Sequence, residues 1–142
     1  MPQMHAEVQM ITTIGFDADD TLWQNETFFR LTQDRFAALL APFCPPDTLH
    51  QRLLEAERRN LGHYGYGVKG FTLSMIETAI EVSSGTVPAP VIAEIMQAGR
   101  EMLSHPIDLL PHAYEAVQAM AQRFQVLLIT KGDLMDQERK LA

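Results

Sequence analysis

Asp17, Asp19, Asp20 and Thr21 put three acids and a hydroxyl within five residues. Carboxylates gathered at that density repel and drive up each other's pKa. A divalent cation relieves the repulsion, and oxygen ligands from carboxylate and main-chain carbonyl suit Mg²⁺. A polar turn with Asp20 or Thr21 capping a helix would use the same residue types. A turn alone, however, leaves unexplained the apolar run that leads into the acids. Ile11, Ile14 and Phe16 suit a strand buried on both faces, starting near residues 8–11, and Gly15 lets a neighbouring backbone come close. A buried parallel strand presents its last residues at the edge where open α/β sheets bind ligands.

A second run, Val126-Leu127-Leu128-Ile129, ends in Thr130-Lys131-Gly132-Asp133. The pattern before it predicts a helix over 112–124. Helix followed by strand is half of a crossover, which makes the two strands parallel and sets Thr130 beside Asp17. Between the two runs the spacing of apolar residues predicts helices over 26–41, 48–60 (with Asp47 as N-cap), 72–82 and 90–103. Residues 24–100 therefore form a small all-helical bundle. Residues 1–23 and 101–142 form a partial α/β core, with a loose lead-in over 1–10, an extended linker over 105–111 and a last helix over 134–141.

The motif Asp17-x-Asp19-x-Thr21 after a strand, and the later strand ending in Thr130, resemble the first two motifs of the haloacid dehalogenase-like (HAD) hydrolase superfamily. The resemblance covers nearly the whole chain and implies a Rossmannoid parallel core with an inserted helical cap. It implies that Asp17 is a nucleophile that forms an aspartyl-phosphate, and that Asp19 acts as general acid and then as base. It further implies that Mg²⁺ sits between the Asp17 carboxylate and the Asp19 carbonyl. Thr130, Lys131 and Gly132 would bind the phosphoryl group of a small phosphorylated metabolite. Asp19 separates this pattern from the 2-haloacid dehalogenase branch, because a departing halide needs no proton. Asp20 stands where many members have Gly, and Lys131 where Asn is common.

The family's third-motif Lys and fourth-motif acid have no match before Ala142. Lys131 or Lys140 could replace the Lys, although Lys140 is expected on a solvated helix face. Consecutive apolar residues in 126–129 demand cover on both sides, and two strands alone are marginal, with edges open to self-association. The expectation is thus a truncated phosphatase of little activity by itself, with a non-catalytic fragment as the alternative.

Gly65-Tyr66-Gly67-Val68-Lys69-Gly70 spells GxGxxG but follows a helix instead of a strand, so a dinucleotide site lacks its βαβ context. The stretch reads as a cap loop, with His63, Tyr64, Tyr66 and Lys69 as candidate substrate contacts. The five histidines lack metal-ligand spacing, and Arg52, Arg58 and Arg59 read as a solvated helix face. A net charge of −7 argues against nucleic acid or an anionic membrane as partner. The lone Cys44 rules out an internal disulfide. No signal or membrane-spanning pattern is visible, which points to a cytoplasmic location.

Overall fold

The computed structural model describes residues 9–142. Its elements run β1 (Thr13–Asp17), α1 (Glu26–Leu40), α2 (Pro46–Tyr64), α3 (Val68–Val82), α4 (Ala89–Ser104), α5 (Ala113–Ala121), β2 (Gln125–Ile129) and α6 (Leu134–Leu141). The two strands pair in parallel, with Thr13 opposite Gln125 and Asp17 opposite Ile129. The architecture is a two-stranded parallel α/β core with an inserted all-helical cap. Among the described residues no helix is long and apolar enough to cross a membrane.

Each strand shows two different faces. Phe16 and Leu128 pack with Ala113 and Val117 of α5 and with Ala18, Leu22 and Trp23. The opposite face is open: Leu127 and Ile129 are 49% and 65% exposed. Strands expected to be buried on both faces are therefore covered on one, the face on which α5 packs against β2. Gly15 does admit a close neighbour, but it is a side chain. A Cβ there would lie 2.6 Å from Ile129 Cδ1. β1 starts at Thr13, and Ile11 precedes it, exposed. Of the expected start and lead-in, residues 1–8 lie outside the described residues.

Phe36 and Leu40 of α1, Leu49 and Leu53 of α2, Met75 of α3 and Ile95 of α4 form the cap's own core. Two helix starts differ from the sequence-based expectation by more than one residue. α2 begins at Pro46, with Asp47 inside its first turn and not at its cap. Proline suits a first helical position because the missing N–H would have had no partner there. α3 begins at Val68, four residues early, and takes up Lys69 and Gly70 of the supposed loop.

Where the chain leaves the core and returns, the two passages are tied together. Gln24 N–H donates to Asp108 O at 2.9 Å, and Leu110 N–H donates to Leu22 O at 2.9 Å. Asp20 sets the direction of departure. Its φ is +61°, a conformation that glycine adopts freely and that aspartate tolerates better than most residues. Its Oδ1 accepts the N–H groups of Asn25 (2.9 Å) and Glu26 (2.8 Å), so it caps α1 from outside the helix.

Asp20→Ala should lose both the cap and the tolerance of positive φ, costing about 1–3 kcal/mol. Asp20→Asn, which keeps an acceptor, should cost less. Urea unfolding midpoints check the order; equal midpoints for Asp20→Ala and wild type would discard the cap.

Candidate active site

The parallel register carries Asp17 and Thr130 to one edge of the sheet. Asp17, Asp19, Ile129, Thr130 and Lys131 line a cavity of about 280 Å³ there. Asp17 accepts a hydrogen bond from Thr21 Oγ1 at 2.6 Å. Asp19 is half-buried in the turn that follows, and three donors hold its carboxylate. Trp23 Nε1 (2.8 Å) and Lys140 Nζ (3.0 Å) reach Oδ1, and Gln137 Nε2 (3.2 Å) reaches Oδ2. Burial alone would raise the Asp19 pKa. The hydrogen bonds from Trp23, Lys140 and Gln137 and the charge of Lys140 outweigh it and hold the carboxyl below its ordinary 3.8.

α6 supplies two of those donors. The Gln137 amide also donates to Thr130 Oγ1 (3.1 Å) and to Lys131 O (2.7 Å), so one side chain joins both strand ends. A carboxylate and a main-chain carbonyl only accept, which fixes the amide's orientation. Its Oε1 is buried with no hydrogen-bond partner among the described residues. Gly132 has φ +150°, and a Cβ there would stand 2.6 Å from Gln137 Nε2. Only glycine lets the loop lie this close to the amide.

Lys140 is not on a solvated face. Its side chain is 9% exposed, between Asp19 (3.0 Å), Asp136 (3.5 Å) and Asn25 Oδ1 (3.4 Å). Two carboxylates offset the cost of removing the ammonium from water.

The cap meets the core over Lys131, whose Nζ lies 4.7 Å from the Tyr66 ring centroid. Asp19, Tyr66, Gly67, Lys131, Gly132 and Gln137 help line a second cavity of about 150 Å³. Asp133 is the latch between the two units. Its Oδ2 accepts the Lys69 N–H at 2.9 Å, capping the first turn of α3 across the interface. Gly67 has φ +128°, and a Cβ on it would stand 2.7 Å from Asp133 N.

Of the cap residues singled out from sequence, Tyr66 is brought to the site. Tyr64 is 48% exposed, His63 is exposed, and neither lines the two cavities. Lys69 joins through its main chain, with its side chain also outside both.

No group of three or more His, Cys, Asp or Glu among the described residues forms a metal cage. Mg²⁺ needs less, since it usually keeps several waters and binds one or two carboxylates plus substrate phosphate. The Asp17 carboxylate and the Asp19 main-chain carbonyl are hard oxygen donors that fit it. The Asp19 carboxylate is committed to its three donors.

A solved structure superposes closely on this chain. A crystal structure of a haloacid dehalogenase-like family hydrolase from Xanthomonas campestris superposes with a TM-score of 0.88 at 46% sequence identity, over 95% of this chain. The chain belongs to the haloacid dehalogenase-like superfamily. It spans 57% of that neighbour's length. No protein-family model and no curated protein matches it.

Sequence reasoning missed Trp23, Asp133 and Gln137 and misplaced Lys140. A signal existed for two of them. Gln137 and Lys140 are three apart on a short helix and so share a face. Which way that face turns depends on the loop before it.

Two outcomes follow from these contacts. Asp133→Ala should speed amide hydrogen exchange at Lys69 roughly 2–30-fold, the equivalent of a cap worth about 0.5–2 kcal/mol; an unchanged rate would mean the latch holds nothing. A depressed Asp19 pKa adds stability that is fully present above the unfolded-state value, about 3.9. That stability is lost as pH falls below it through the folded value. Asp19→Asn should flatten this acid limb of the unfolding free energy against pH, and a limb of unchanged slope would show that Asp19 does not contribute.

Proposed function

We propose that this chain carries the phosphoryl-handling half of a Mg²⁺-dependent phosphohydrolase acting on a small phosphorylated metabolite. The observation that carries the reading is the shared cavity. A carboxylate (Asp17), a second acid (Asp19), a hydroxyl (Thr130) and a cation (Lys131) face one space of about 280 Å³. The X. campestris neighbour is a family hydrolase, which supports hydrolysis as the reaction class.

Asp17 attacks phosphorus, the ester oxygen leaves, and an aspartyl-phosphate remains for water to hydrolyse. The Asp17 carboxylate and the Asp19 carbonyl would hold Mg²⁺, which would supply the charge that lets an anionic nucleophile meet an anionic ester. Thr130 and Lys131 bind the phosphoryl oxygens, and Gln137 fixes Thr130 for that task. Asp19 is anionic in this arrangement, which suits the base that activates water. The acid half-reaction requires it to gain a proton as substrate binds, which loss of the Lys140 contact favours. Dehalogenation gives Asp19 no such work.

A test on this chain uses Mg²⁺ with fluoroberyllate, which adds to a carboxylate as a phosphoryl mimic. Amide resonances of Thr130, Lys131 and Gly132 should shift in the wild type and not in Asp17→Asn. No response in the wild type would overturn the proposal. Turnover of p-nitrophenyl phosphate, where measurable, should vanish with EDTA and fall to background in Asp17→Asn. Asp19→Asn should slow phenyl phosphate more than p-nitrophenyl phosphate, because the poorer leaving group needs the proton. Equal slowing would remove the acid role, and halide release from a 2-haloacid would favour the dehalogenase reading.

A further inference from the structure

The cap holds a cavity of about 200 Å³ that none of this chemistry uses. Phe29 of α1, Leu61 of α2 and Phe71 of α3 give it apolar walls, and Glu57, Asn60 and Ser74 give it polar ones. It shares Phe29, Tyr66 and Gly67 with the cavity beside Lys131 and Asp19, so the two spaces have a common wall. That second cavity in turn shares Asp19 and Lys131 with the one at the strand ends, so the three spaces adjoin in a row from Asp17 to Glu57.

The polar lining is unbalanced. Asn60 Nδ2 already donates to Ser74 Oγ at 3.1 Å and to Glu77 Oε2, which leaves its carbonyl oxygen as an acceptor. Glu57 is half-buried and makes no hydrogen bond or ion pair among the described residues. The arginines close to it in sequence do not serve it. Arg52 is paired with Glu81, Arg59 with Glu77, and Arg58 is exposed at the adjacent position, which faces elsewhere on a helix. Burial pushes the Glu57 carboxyl above its ordinary range, with no donor or cation opposing it. A half-buried acid without a partner, beside an apolar wall, is a place where an incoming cation would be stabilised.

We infer that this cavity receives an ammonium group, carried on the alcohol half of the substrate, with Glu57 and the Asn60 carbonyl as its acceptors. The inference rests on the phosphohydrolase reading and narrows it to phosphate esters of amino alcohols with a compact apolar body. An apolar cavity of about 150 Å³ takes benzene, so this one has room for a ring or short branched chain plus the ammonium. An acidic leaving group is disfavoured, since its charge would lie beside Glu57.

The test titrates the ¹⁵N-labelled 142-residue chain with 2-phenylethylamine and with its neutral isostere 2-phenylethanol. The amine should shift the amides of Asn60, Gly65, Gly70 and Ser74 and bind about tenfold or more tighter than the alcohol, as a charge-assisted hydrogen bond predicts. Glu57→Gln should bring the amine down to the alcohol's affinity, and Glu57→Lys, which brings its own ammonium, should abolish its binding. Equal binding of amine and alcohol, an amine affinity unchanged in Glu57→Gln, shifts confined to other acidic surface, or no binding would each overturn the inference. The wild-type comparison stands even if a variant fails to fold. Fluoroberyllate separates this inference from the reading beneath it. A response at Thr130–Gly132 without selective amine binding discards the ammonium site alone. Selective amine binding without that response keeps the site and discards the phosphate ester.

Discussion

The parallel pairing of β1 with β2 is the constraint on which everything else depends. With Asp17 opposite Ile129, the two strands end and turn away from the sheet at the same level. The acid that ends one strand and the hydroxyl that follows the other must therefore face a common space. An antiparallel pairing of the same strands would send those ends in opposite directions. A register slip of one residue would exchange the covered face, Phe16 and Leu128, for the open one. Burying the aromatic and aliphatic side chains against α5 thus also selects the alignment of the polar ends.

That alignment concentrates negative charge, and the rest of the site answers it. Asp19 is surrounded by an indole N–H, an amide and an ammonium; Asp20 is spent on the N-terminus of α1, where carboxylates are favoured. Asp17 is left with one hydroxyl contact, from Thr21, and lines the larger cavity. Three neighbouring acids of the same type acquire three different environments within four residues.

A single short helix connects this electrostatics to the cap. Asp133 precedes α6 and accepts the Lys69 N–H at the start of α3, while Gln137 and Lys140 of α6 reach Asp19. The same loop and helix therefore touch both the start of α3 and the Asp19 carboxylate.

Much of this was legible in the residues alone. The spacing Asp17-x-Asp19-x-Thr21, the apolar run ending at Thr130 and the periodic stripes of α1 and α4 are local, and local periodicity and turn chemistry determine where such elements form. Helix starts were less legible. Pro46 and Val68 begin helices earlier than the expected positions, because packing extends a helix wherever backbone geometry permits. Asp20 could be read as an acid of the site or as a cap, and only the φ of +61° and the two amides it meets decided for the cap. The burial of Lys140, the threefold use of the Gln137 amide and the Asp133–Lys69 contact were beyond the sequence. Each joins residues tens of positions apart or depends on the rotation of a short helix about its axis. That rotation is set by the space between sheet and cap, which exists only once both have folded.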